Sequence, residues 1–222
     1  MSTAPSKRFQ PSGRDSISDF FEVMTMFSQD EIIRSLYGNP DDDIPYFAAL
    51  GKFIVGYASA EIAAHLLCKK LSGLSENKAR IIFGGMRLQE IRERILGMMR
   101  LDTEYQKQYD SVEKCLNQLQ IIANERHNLV HRKVVYHQDH IHVTNVYTSK
   151  SDTNIEEAQF TLTDLENMRS DCDTIYVRLE VVRRPYILGN SLPEEVELLH
   201  SAWQYKPSPP QNHKKPNRKK NT

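Results

Sequence analysis

The stretch Leu116-Asn-Gln-Leu-Gln-Ile-Ile-Ala-Asn-Glu-Arg-His-Asn-Leu-Val-His131 decides how this chain is read. Counting from Val112 in steps of three and four, Leu116, Leu119 and Ala123 make an apolar stripe, the signature of a helix with one face in a core. Continued by the same steps, the stripe reaches Arg126 and then Val130, so a guanidinium falls where the periodicity reserves a place for packing. Burying it unpaired is costly, so Arg126 either snorkels at the helix end or lines a polar cleft. His131 follows five residues later, about 140° around an ideal helix. The two side chains share a cleft only if the helix ends or tightens there. The helix itself is expected from about Asp102 to Val130.

Two long helices are expected before it. Tyr46 to Leu71 is apolar on nearly every side, with Gly73 placed as its C-terminal cap, and reads as a central buried helix. Within it Glu61 projects among Leu50, Ile54, Tyr57 and Cys68, where a hydrophobic side chain would be ordinary. Either Glu61 is a core carboxylate paired with His65 or an arginine, or it orients a functional group across the bundle. A second helix begins near Ser75 and carries Ile81, Leu88, Ile91, Ile95 and Met98 on one stripe, with Gly84-Gly85 able to kink or split it.

After His131 the periodicity changes to two, in Lys133 to Tyr136 and again in His140 to Tyr147, which is a hairpin signal over about 133–148. Ala158 to Leu162 can add a short strand. Thr161-Leu-Thr-Asp164 resembles the start of a fourth helix running to about Arg183, where Pro185 stops it. Pro193 to His200 reads as one more short helix. The fold class is therefore mainly α, a bundle of four or five helices with a small β-hairpin inserted after the third long one.

Domain limits follow from composition. Residues 1–16 are rich in Ser, Pro and basic groups and read as a disordered leader, with apolar Ile17 to Leu36 as one or two short helices behind it. Residues 17–204 make a single domain, and 205–222 read as a disordered basic tail. The chain of 222 residues has zero formal charge, yet Lys206, Lys214, Lys215, Arg218, Lys219 and Lys220 lie in a tail without Asp or Glu, leaving the body at minus six. Such a body does not attract a polyanion over long range, so contact with nucleic acid depends on local patches or on the tail. That tail could bind RNA phosphates, act as a nuclear signal, or solubilise the end. Cys68, Cys115 and Cys172 form no Cys-x-x-Cys pair and read as buried, reduced thiols. No secretory signal and no uninterrupted run of ~18 apolar residues is present, which points to a soluble cytoplasmic protein without a membrane span. Gly-rich phosphate loops, Gly-x-Ser-x-Gly elbows and His-Glu-x-x-His pairs are absent from the sequence.

Arg126-His127-x-x-x-His131 resembles the signature of the HEPN superfamily: an Arg, then Asn, Asp or His, then three residues and a His, late on a bundle helix. The resemblance spans about Tyr46 to Arg183 and accounts for neither tail. It implies an HEPN-like helical bundle, often a homodimer, and in many members an endoribonuclease that uses no metal or other cofactor. By that likeness His131 is the general acid/base, Arg126 holds the phosphate through its planar fork, and His127 orients or binds, with Glu61 and Asn128 in support. The likeness also allows an antitoxin or other regulatory partner, and equally a non-catalytic module that binds RNA or nucleotide or holds a complex together. One alternative concerns metal. Five of the eight His fall between His127 and His142. His127 and His131 on a helix face and His140 and His142 on a strand face could supply two nitrogen pairs to zinc.

Overall fold

The computed structural model describes residues 40–137, 139–146, 148–150, 155–190 and 197–207. The chain divides into two compact units, Met1–Asp42 and Asp43–Thr222, and the fold described is that of the second. The leader, the helices expected over Ile17 to Leu36, most of the basic tail and the first half of the short helix expected from Pro193 lie outside the described residues.

Among the described residues five α-helices and a three-stranded sheet follow one another: α1 (Pro40–Ser72), α2 (Glu76–Phe83), α3 (Leu88–Leu101), α4 (Tyr109–His131), β1 (Lys133–Tyr136), β2 (Ile141–Thr144), β3 (Glu157–Phe160) and α5 (Leu162–Arg183). A turn of 3-10 helix precedes α4 and another follows α5. The chain is mainly α with a small antiparallel sheet after the third long helical stretch, as its periodicities imply.

Helix α1 ends where Gly73 takes a φ of +64°, the left-handed conformation in which a side chain is strained. Space is not the constraint, since a Cβ added at Gly73 meets nothing within 4 Å. Gly73→Ala is therefore expected to cost about 1 kcal/mol through backbone strain alone. Urea denaturation should show a lowered midpoint with an unchanged slope. The expectation that α1 is buried all round is corrected. Phe53, Ala60, Ala64, Leu67 and Cys68 are sealed in the core, whereas Ile44, Val55 and Ile62 on the opposite side are exposed. Small residues (Ala48, Gly51, Ala58) separate those three, so the outer side is apolar without being packed. Over Ile44–Ser72 this helix is long and apolar enough to cross a membrane by length and composition. In the fold its inner side is part of the bundle core.

Gly84-Gly85 splits the second helix, with Gly85 at φ +79°. The split changes which residues face inward. Ile81, expected on the stripe, is 79% exposed, while Ala79 and Phe83 take the buried positions of α2. On α3 Leu88, Ile91 and Ile95 pack as expected, and Met99 rather than Met98 completes the face. On α4 the buried set is Val112, Cys115, Leu116, Gln118, Leu119, Ile122 and Leu129. Val130, the last step of the expected stripe, is exposed, because the buried face of a 3.6-residue helix drifts and Leu129 occupies its end.

The strands run in the order β1-β2-β3, all antiparallel, with Val134 opposite Val143 and Ile141 opposite Phe160. Alternation places Val134, Tyr136, Ile141, Val143, Ala158 and Phe160 against the helices. Helix α5 starts from a capping box, in which the Asp164 N–H donates to Thr161 Oγ1 at 3.1 Å and the Thr161 N–H donates to Asp164 Oδ2 at 2.8 Å. All three cysteines are free and buried, and burial pushes their thiols up, to about 11 at Cys68 and Cys115 and about 12 at Cys172.

Beyond α5 the chain returns as a strap, residues 197–207, across α4 and α5. Its anchor is Asp171, 1% exposed, which accepts the N–H groups of Gln204 (2.8 Å) and Tyr205 (3.0 Å) and the amide of Gln118 (2.8 Å). Arg178 donates to the Leu198 and Ser201 carbonyls and lies 4.6 Å from the centroid of the Trp203 ring. Several polar backbone groups of an irregular segment are thereby satisfied against two core helices.

Candidate active site

The Arg-His-x-x-x-His motif occupies the last turns of α4. The helix stays α-helical through His131, and the Arg132 N–H donates to the Asn128 carbonyl at 3.1 Å before the chain turns into β1. Because the helix neither tightens nor breaks earlier, the motif residues leave it on different sides.

Arg126 is half-buried and turned toward α1, its Cζ lying 5.8 Å from the centroid of the Tyr57 ring. That is cation-π range. Tyr57 is 6% exposed and its hydroxyl donates to Glu61 Oε1 at 3.0 Å. Burial first, and then the adjacent Glu61 carboxylate, push the Tyr57 phenol well above its ordinary value, with Arg126 opposing. The phenol therefore stays protonated and keeps donating. Among the described residues, Nε of Arg126 is enclosed without a hydrogen-bond partner. A guanidinium held on an aromatic face with a donor unspent can form a further charge-assisted bond if its surroundings shift.

Glu61 is half-buried, as its position among apolar neighbours implies, but the partner it finds is Tyr57 one turn earlier rather than His65. The sequence carried the signal for this pair. Tyr and Glu four residues apart lie on one helix face, within reach of each other. Tyr57→Phe removes the donated bond while keeping the ring beneath Arg126. The variant is expected to lose about 1 kcal/mol of stability, which thermal unfolding would measure.

His127 and His131 are both exposed and lie side by side, ring centroids 4.8 Å apart and planes tilted by 47°. Asn128 lies between them in sequence but is half-buried and directed elsewhere, its Nδ2 donating to Glu125 Oε2 at 3.1 Å. Just past the motif Arg132 pairs with Glu156 ahead of β3, which ties the end of α4 to the sheet. The structure thus brings together two sets, Arg126 with Tyr57 and Glu61, and His127 with His131.

The four-histidine zinc arrangement is not what the fold builds. His140 and His142 gather instead with His137 around the hairpin end, where the His137 and His140 rings stack at 4.6 Å and His142 lies 6.4 Å from His137. Hairpin pairing explains this, since His137 faces His140 across the turn and the His137 N–H donates to the His140 carbonyl. His140 Nδ1 contacts Asp139 Oδ1 at 2.7 Å, a contact that, through its hydrogen bond, holds the Asp139 carboxyl below its ordinary value. Among the described residues no three His, Cys, Asp or Glu side chains are arranged to hold a metal ion.

Compared with known proteins, the chain matches no family model, no curated protein and no solved structure.

Proposed function

We propose that the protein is a metal-independent endoribonuclease of the HEPN type, cytoplasmic and water-soluble, acting as a homodimer on RNA. The observation that carries this reading is the imidazole pair. His127 and His131 stand exposed and 4.8 Å apart on the last turns of α4, directly after Arg126. Cleavage by attack of the RNA's own 2′-hydroxyl on the neighbouring phosphorus forms a 2′,3′-cyclic phosphate and expels the 5′-oxygen. The attacking oxygen gives its proton to a base and the departing oxygen takes one from an acid, so two proton carriers are needed. His131 is the carrier in each copy, His127 orients it or binds the substrate, and Arg126, which turns away from the His131 of its own chain, neutralises the charge on the pentacoordinate phosphate only by leaving the Tyr57 ring or by acting across the two-fold axis. Glu61 supports Arg126 through Tyr57, and Asn128 supports the helix end. Two copies related by a two-fold axis supply both carriers.

A second reading is favoured by the packing of Arg126 on Tyr57. A guanidinium spent on an aromatic ring is not presented to a phosphate, which suits a non-catalytic HEPN module that binds RNA or nucleotide or serves as a dimerisation scaffold. Cleavage of a mixed RNA pool in excess EDTA, by the wild type and by Arg126→Ala and His131→Ala, separates the two. The nuclease reading expects wild-type cleavage that both substitutions abolish, and undiminished cleavage by both variants removes the site. An antitoxin or regulatory partner belongs to the nuclease reading only.

A further inference from the structure

Residues 206–222 carry Lys206, Lys214, Lys215, Arg218, Lys219 and Lys220, no acid, no aromatic residue and no Leu, Ile, Val or Met. Composition leaves the role of such a segment open, but the place where it is tethered narrows it. Its root is the strap across α4 and α5. Asp171 fixes the Gln204 and Tyr205 N–H groups, and the Tyr205 carbonyl accepts the Gln118 amide at 3.0 Å, so the chain leaves the fold at the level of Gln118 on α4. From there the Tyr205 side chain runs toward the motif. Its ring is buried and its hydroxyl meets Glu125, the residue before Arg126. Burial, and then the Glu125 and Asp164 carboxylates, push this phenol well above its ordinary value, so it stays protonated and donates to Glu125. Glu125 in turn accepts the Asn128 amide at 3.1 Å. One helix therefore holds both the root of the basic segment and the histidine pair.

We infer that residues 206–222 are the phosphate-gathering arm of the candidate site, tethered by the strap so that their cations and the end of α4 bearing His127 and His131 hold one RNA strand. The end of α4 is itself short of available cations. From Gln118 to Arg132 its arginines are Arg126, which lies against Tyr57, and Arg132, which pairs with Glu156. The rest of the chain stands at minus six, so it does not concentrate a polyanion either. Reach is sufficient. His131 lies about 20 Å along the helix from Gln118, while the stretch from Lys206 to Lys214 spans up to about 28 Å. The first of the clustered cations thus arrives at the histidines without the strap moving. An anionic membrane fits less well, because the segment has no apolar side chain of the kind that inserts among lipids. That the strand is RNA rests on the function proposed above; the tether does not.

Full-length variants in a His131→Ala background, where RNA is bound without being cut, test the inference by fluorescence anisotropy with a labelled oligouridine of about six nucleotides. Replacing Lys214, Lys215, Arg218, Lys219 and Lys220 by Gln is expected to weaken binding about 100-fold at low salt and to lower the slope of log affinity against log salt by about 3. The melting temperature stays the same, since the strap is untouched. Inserting about 20 Gly and Ser residues after Pro207 keeps every cation but dilutes them at the motif, and the fall of effective concentration with tether length predicts an affinity about 5-fold lower. Binding and slope that the Gln substitutions leave unchanged would overturn the inference. So would a spacer variant that binds as tightly as the His131→Ala reference, because the segment would then hold RNA without the motif. Flotation with phosphatidylcholine–phosphatidylglycerol vesicles that the Gln substitutions abolish, at unaltered RNA affinity, would give the cations to a membrane instead. The arm and the nuclease fail separately. Binding lost in the Gln variant, with no cleavage by the wild type in EDTA, keeps the arm and removes the nuclease, whereas cleavage with binding indifferent to the Gln substitutions does the reverse.

Discussion

On the proposed ribonuclease reading, His131→Ala is expected to lower RNA cleavage by about 10²- to 10⁴-fold, the range ordinarily lost with a positioned acid or base, without moving the melting temperature. The stability half of this expectation follows from exposure. His131 is the last residue of α4, its ring is in solvent and its neighbour is the equally exposed His127. Surface substitutions of that kind stay within about 0.5 kcal/mol. Arg126→Ala should behave differently on both axes. It removes a guanidinium packed on Tyr57, worth about 1 kcal/mol of cation-π and stem packing, so some stability is lost along with activity. Arg126→Lys separates the two losses, because lysine keeps the charge and most of the stem but cannot present a planar fork to a phosphate. Cleavage that stays low in the lysine variant while stability returns would identify the fork as the working part. Full recovery of cleavage by lysine would reduce Arg126 to a point charge. Single-turnover rates at saturating RNA assign the His131 loss to the chemical step, and a loss confined to the apparent affinity would move that residue to binding.

The helices and the hairpin are legible because each is written in a single period. Leu116 and Leu119 on α4, or Ile91 and Ile95 on α3, repeat at helical spacing and are completely buried. Val134 and Val143 alternate at a spacing of two and meet in register. The errors have local causes. Ile81 falls inward only if one stripe is extended across Gly84-Gly85, but a break resets the phase, and the short α2 buries Ala79 and Phe83 instead. Helix α1 reads as buried throughout because apolar composition does not say how many sides find partners. Val55 and Ile62 are left uncovered by the tertiary packing, which no local pattern encodes. At the motif, spacing gives the divergence of Arg126 from His131 but not where each ends. That depends on Tyr57, almost seventy residues earlier in the chain, supplying an aromatic face at the level of Arg126. The histidines regroup for a similar reason, since the hairpin turn sets His137 against His140 and the register is a tertiary fact.

Asp171→Ala is expected to cost about 3 to 4 kcal/mol, because three donors would lose their acceptor in a site that water does not reach. The Gln204 and Tyr205 N–H groups and the Gln118 amide converge on this carboxylate, and only the amide has another acceptor, the Tyr205 carbonyl at 3.0 Å. Each stranded buried donor costs about 1 to 3 kcal/mol, partly recovered if the strap lifts into solvent. Lifting is itself observable. Trp203, stacked by Arg178, would lose its partner and change fluorescence well below the main unfolding transition. Asp171→Asn tests whether the charge matters beyond the acceptors. Burial raises the Asp171 carboxyl above its usual 3.8, and the three donors and Arg178 only partly oppose this. The folded chain therefore holds the proton in a window just above 3.8 where the unfolded chain has released it, so stability from this group falls as pH rises through the window and is constant above it. The neutral asparagine has no such titration. The difference in unfolding free energy between the wild type and Asp171→Asn should thus become more favourable to the wild type as pH drops through that window. A difference that is flat with pH would mean that the strap, rather than burial, sets the state of the carboxyl.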